Sequence, residues 1–134
     1  MEGQIQLWEA CSSSQVEEVI KLLQNKEIPI NWQDHEYSRT PFWIACKNGH
    51  IEIVKVLLND ERVEINKTDN KGWTPFHVAC AKGHIEIVKL LLNDKRISIR
   101  KKTNEGKTAI DIAKEDNHSN VVKLIKEFDT GNHS

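Results

Sequence analysis

The sequence predicts an all-α solenoid built from four stacked turn-helix-helix units, and three observations predict it. Residues 40–55 and 74–89 are near copies of each other, displaced by 34 positions. A fixed period of that length marks an array of small supersecondary units rather than one wrapped core. Degraded copies flank the two best ones, at residues 108–113 and 118–123 on one side and at residues 7–11 and 16–23 on the other. These outer copies are polar where the inner ones are apolar: Glu18 and Lys21 replace Ile53 and Val56, and Ser119 and Lys126 replace Ile85 and Leu92. A polar outer flank is what a terminal repeat needs in order to face water.

The first unit is aligned by Leu7-Trp8-Glu9-Ala10-Cys11, which matches Phe42-Trp43-Ile44-Ala45-Cys46 at an offset of 35. The extra residue falls between Asp34 and Thr40, where it lengthens a turn. In the second and third units Thr40 and Thr74 are placed to N-cap a short helix, with Pro41 and Pro75 at the first helical position, where no backbone donor is required. That helix should close at Gly49 or Gly83, since glycine tolerates the left-handed conformation of a helix end. Ile51, Val54, Leu57 and Leu58 then recur at three- and four-residue steps, with Ile53 and Val56 on another side, so a second helix needs neighbours on both. Asn59-Asp60 breaks the pattern, Val63 and Ile65 alternate as a brief extended segment, and Asp69 with Gly72 favours a tight turn. The fourth unit repeats the first helix as Thr108-Ala109-Ile110-Asp111-Ile112-Ala113. The repeats therefore span about 1–33, 34–68, 69–102 and 103–129 of a single domain covering 1–134, with a short disordered tail over 130–134.

Asp69, Gly72, Thr74-Pro75-Phe76-His77, Ala79, Gly83-His84, Ile87-Val88 and Leu90-Leu91-Leu92, with the same pattern around Thr40, resemble the ankyrin repeat along essentially the whole chain. The resemblance implies a protein-binding module that contacts its partner through turn tips and the inner-helix face. Two departures stand out. The family's Gly-Ala after the second helix is replaced by the longer Glu61-Arg62-Val63 and Lys95-Arg96-Ile97, and Trp43 stands where the family has His. The usual Thr to His side-chain bond is therefore not expected in the second repeat. Asn31 and Asn66, each eight residues after a leucine, resemble sites of asparaginyl hydroxylation in this family; as plain residues they are read as turn-bonding asparagines.

A formal charge of -1 with 29% charged residues gives no global basic excess of the kind that points to nucleic acid or anionic lipid. No apolar run approaches the ~18 residues of a membrane span, and Glu2, Gln4 and Gln6 occupy the place of a signal peptide's basic start and apolar block. A cytoplasmic, or also nuclear, monomer is expected, with no cofactor and no membrane partner. Cys11, Cys46 and Cys80 recur at one repeat position, hence ~8 to 10 Å apart in packed helices. Disulfides need Cα atoms within ~7 Å, so these are small buried apolar residues. His50, His84 and His118 recur likewise, and are expected to satisfy backbone groups locally rather than to hold metal. Nothing suggests a nucleophile with its base, a phosphate loop or a carboxylate pair, so an enzyme is not expected.

The residues that packing leaves over cluster at the turn tips and on the exposed side of each first helix. There Arg39, Lys47, Lys67, Lys71, Lys82, Lys101, Lys102 and Lys107 outnumber Glu36, Glu105, Glu115 and Asp116. Trp73 stands at a tip position occupied by Arg39 and Lys107 in the neighbouring units, and exposed Trp and Tyr beside Arg is the composition of interface hot spots. Trp73 alternatively packs across the adjacent tip over Tyr37 or a lysine stem, while Trp8 and Trp43 are expected to be half-buried between repeats. The predicted contact residues are Tyr37, Arg39, Lys47, Lys71, Trp73, Lys82, Lys102 and Lys107, taking an acidic, partly apolar segment of another protein. The alternative is single-stranded nucleic acid on the same basic tips, with Trp73 and Tyr37 stacking on bases.

Overall fold

Four helix pairs stand side by side in two layers. The computed structural model describes residues 3–131, and eight helices and no strand are found among them. The inner layer holds α1 (Gln4–Ser12), α3 (Pro41–Asn48), α5 (Pro75–Lys82) and α7 (Ala109–Glu115). The outer layer holds α2 (Val16–Leu23), α4 (Ile51–Leu58), α6 (Ile85–Leu92) and α8 (Ser119–Gly131). Each helix packs on its partner and on the same helix of adjacent repeats, and neighbours in the inner layer approach more closely than those in the outer layer. The inner helices present Ala10, Cys11, Ala45, Cys46, Ala79, Cys80 and Ala113, all of them buried. Small side chains let these helices come close, so the stack curves with the inner helices and turn tips on its concave side.

Residues 41–46 and 75–80 are buried on every side, which a helix tolerates only between two neighbours. Thr40, Thr74 and Thr108 each accept the backbone N–H of the residue three positions on, and His77 and Asp111 return the bond to complete capping boxes. Gly49 and Gly83 end α3 and α5 at φ 74° and 70°. The same positions in the outer repeats, Ser14 and Asn117, adopt φ 61° and 60°. Space is a second constraint: a Cβ on Gly83 would lie 2.8 Å from His118 Cε1 and Nδ1, and one on Gly49 would lie 2.9 Å from His84 Cε1.

The histidines make room necessary because they reach backwards rather than locally. His50 Nε2 bonds Ser12 O at 2.9 Å, His84 Nε2 bonds Lys47 O at 2.9 Å and His118 Nε2 bonds Ala81 O at 2.8 Å. Each imidazole thus closes a carbonyl that the end of the preceding repeat's inner helix leaves open. The expected local role is corrected: the histidines are bonds between repeats.

Asn31 and Asn66 are also bridges rather than turn residues. Asn31 Nδ2 donates to Arg62 O at 2.8 Å while its Oδ1 accepts from Glu64 N at 2.9 Å. Asn66 repeats this with Arg96 O at 2.7 Å and Ser98 N at 3.0 Å. The segments expected to be extended pair with no neighbour as strands; turns carry them, and Val63 and Ile65 are buried beneath. The longer connection matters because it delivers an arginine. Arg62 Nε and Nη2 grip Asp60 and Nη2 also donates to Leu23 O at 3.0 Å, and Arg96 does the same with Asp94 and Leu58 O. Each arginine caps the outer helix of the repeat before it.

The last outer helix departs from expectation. α8 continues to Gly131, past residue 130 where the tail was expected to begin. Helices α4 and α6 stop at Asn59 and Asn93, whereas Glu127 and Phe128 stand where Asn-Asp stands in the inner repeats, so no terminator interrupts α8. Arg100 donates to Asp129 and ties the extension down. Residues 132–134 lie outside the described residues.

Candidate functional site

The turn tips are fixed first. Asp69 is 8% exposed, and its Oδ1 accepts from Lys71 N at 2.9 Å and Trp73 N at 2.8 Å. Asp34 accepts likewise from Arg39 N, across a turn one residue longer in which Ser38 takes φ 61° where Gly72 takes 79°. Backbone bonds join tip to tip, from Asn70 N to Tyr37 O and from Asn104 N to Lys71 O. Beneath them the tryptophans serve as struts. Trp8 Nε1 donates to Arg39 O and Trp43 Nε1 to Trp73 O, both at 2.9 Å. Trp43 is 2% exposed, not half-buried as expected, because replacing His by the larger indole fills the gap between repeats and reaches the next tip.

Arg39, rather than Trp73, lies over Tyr37. Its guanidinium carbon sits 4.4 Å from the Tyr37 ring centre and 4.3 Å from that of Trp43, so the cation is held between two aromatic faces. Arg39 Nε is buried without a partner. The Trp73 ring is half-buried beside His77, with ring centres 6.1 Å apart.

Arg39, Trp43, Lys47, Lys71, Trp73 and Lys82 line one concave cavity of about 330 Å³, together with Val78, Ala81, Asp69 and Asp116. Larger cavities elsewhere are grooves on the outer layer and the connecting segments, away from the tips. Burial, then the like charges of Lys82 and Arg39, push Lys47 below the ordinary lysine value. Five of the sequence-predicted contact residues therefore meet at one cavity, and Tyr37 stands behind it against Arg39. Lys107 is engaged elsewhere, by Glu115 at 2.9 Å and Glu105 at 3.9 Å, and Lys102 is exposed apart from the cavity.

The thiols are buried and free, and burial pushes Cys11 up to about 12 and Cys46 and Cys80 well above the ordinary thiol value. Among the described residues no cluster of His, Cys, Asp or Glu is placed to hold a metal ion, and no helix is long and apolar enough to cross a membrane.

A family model described as ankyrin repeats in many copies matches residues 7–58 and 43–92, which together cover well over half the chain. The chain belongs to the ankyrin repeat family. Ankyrin repeats are in general protein-protein interaction modules, and the concave cavity lies on the tips and inner helices of this one. The matched residues stop at Leu92; the fourth ankyrin unit is recognised from the Thr108 capping box, α7, α8 and the His118 bond to Ala81. A search of curated proteins returned no match.

Sequence reasoning missed the arginine caps and Gln33, whose Nε2 donates to both Ser38 O and Thr68 O at 2.9 Å. The repeated Asn-Asp-x-Arg at 59–62 and 93–96, absent from the first unit, was the available signal for the arginines.

Proposed function

We propose that this ankyrin repeat protein holds an acidic, partly apolar segment of another protein in its concave cavity, and so acts as an adaptor, scaffold or steric inhibitor. One observation supports the reading above the rest. Among the described residues, Arg39, Lys47, Lys71 and Lys82 converge on one cavity and none has a carboxylate within ion-pair distance, whereas Lys55, Lys67 and Lys89 each have one and Lys107 has two. Uncompensated cations beside apolar side chains attract an anionic chain and orient it, with Trp73 and Val78 as apolar contacts.

A displayed random-peptide library selected on the protein tests this. Enriched peptides should pair Asp or Glu with Leu, Phe or Trp, and the combined variant Trp73→Ala, Lys47→Glu, Lys82→Glu should lose them. Enrichment that lacks acidic bias, or that survives the triple variant, places binding elsewhere.

A further inference from the structure

The cation cluster is more specific than a basic surface. Three features coincide at Arg39. Its guanidinium is held between Tyr37 and Trp43, with Cζ 4.4 Å and 4.3 Å from the two ring centres. No side-chain nitrogen of Arg39 donates to a protein acceptor among the described residues, and Nε is buried in that condition. The flanking Lys47 and Lys82 come from successive inner helices, α3 and α5, and line the same cavity with Lys71. Of the two acids that line the cavity, Asp69 already accepts two backbone N–H groups on Oδ1 and is 8% exposed, while Asp116 is exposed and forms no ion pair with the four cations.

A planar arginine held rigid, with two lysines beside it, matches a group carrying several acceptor oxygens on one atom. A carboxylate offers two oxygens and a single charge. A phosphomonoester offers three oxygens and about -1.5 to -2 charge near neutral pH, and suits the fork of an arginine bidentately. Four cations and two carboxylates line the cavity, an excess that a dianion cancels. We propose that the cavity is a subsite for a phosphorylated side chain of the partner segment, the phosphoryl group on Arg39, Lys47 and Lys82 and the adjoining apolar residue on Trp73 and Val78. This rests on the protein-binding reading above and names the partner's chemistry.

Capped peptides Gly-Ser-Leu-Xaa-Leu-Gly, with Xaa phosphoserine, glutamate or serine, test it by calorimetry and by the indole N–H signals of Trp43 and Trp73. The phosphoserine peptide should bind about tenfold tighter than the glutamate one and move both indole signals. Lys47→Gln and Lys82→Gln should each weaken it by about threefold or more while Lys89→Gln, on the outer layer, leaves it unchanged. Equal binding of the two acidic peptides, no binding of the phosphoserine peptide, or indifference to Lys47→Gln and Lys82→Gln overturns the subsite. The library selection separates the two readings: acidic peptides enriched there with no preference for phosphoserine here remove the subsite and leave the protein-binding reading standing.

Discussion

At the scale of single residues, the stack depends on groups whose hydrogen bonds admit one protonation state or one backbone shape. His77 is 1% exposed; its Nδ1 accepts from Thr74 N at 2.9 Å, so its Nε2 carries the proton donated to Lys101 O at 2.8 Å. A second proton would have to enter against the Thr74 N–H, and burial, the largest cause, lowers the pKa below 6.5. The unfolded chain therefore takes up a proton that the folded chain refuses. Above pH ~6.5 neither state is charged and nothing is lost; below it stability falls by up to about 1.4 kcal/mol per pH unit until the folded imidazole titrates too. His77→Gln keeps a donor for Lys101 O and removes the titration, so its melting temperature should be lower at pH 7.5 but flatter between pH 7 and 5.5. Parallel pH profiles for the two proteins would show that His77 is not the titrating group. The glycines give a second comparison. Gly106 and Gly83 both have positive φ, 81° and 70°, but a Cβ on Gly106 meets nothing within 4 Å. Gly106→Ala should cost about 1 kcal/mol of left-handed strain, and Gly83→Ala about 1 to 3 kcal/mol more, because His118 must leave Ala81 O. Denaturant unfolding of both variants reads the difference.

At the scale of elements, what the sequence reveals and what it conceals divides along a physical line. Helix starts and stops were legible because Thr-Pro and Gly act through local backbone geometry, and Thr40, Pro41 and Gly49 stand where the helix bounds fall. Bonds between repeats were not, because His50, Asn31 and Arg62 satisfy atoms 38, 31 and 39 positions away and nothing in a single unit names those partners. The cavity was half legible. Packing periodicity set Lys47, Lys71 and Lys82 aside as unexplained, but the placing of Arg39 between two rings follows from Trp43, an indole buried in α3. The Arg62 cap yields a prediction at this scale. Its hydrogen bonds to Asp60 hold that carboxyl below the ordinary aspartate value, and the pair is largely shielded, with side-chain exposures of 28% and 13%. Arg62→Met should keep the stem's packing, leave Leu23 O open and cost about 1 to 3 kcal/mol in urea unfolding. Glu27 holds the corresponding place in the first repeat, where no earlier outer helix is present among the described residues, so Glu27→Arg should change stability by less than about 0.5 kcal/mol.

At the scale of the whole molecule, an array in which every repeat touches only its neighbours has a stability that is a sum of unit and junction contributions. The junctions are not equivalent. Between the second and third repeats, α3 packs on α5, α4 on α6, Trp43 reaches Trp73, His84 reaches Lys47, Asn66 reaches Arg96 and Ser98, and Arg96 reaches Leu58 and Val63. Between the third and fourth repeats, His118 reaches Ala81, Asn104 reaches Lys71 and Asn70, and Arg100 reaches Asp129, but among the described residues no arginine caps α6 and no asparagine stands in the place of Asn66. Cooperative unfolding of the array thus hinges on the central junction, with the fourth repeat as the first to open. Native-state hydrogen exchange should show amides of α7 and α8 exchanging at a lower free energy than those of α3 and α5. Asn66→Ala removes both of its cross-repeat bonds and should cost about 1 to 2 kcal/mol. Because that loss falls on the contact that couples the two halves, it should also broaden the urea transition and separate the signals of α3 from those of α7. If α3, α5 and α7 exchange at one common free energy in the wild type, and Asn66→Ala shifts the urea midpoint without changing its slope, the stack is a single cooperative unit and the junction hierarchy is absent.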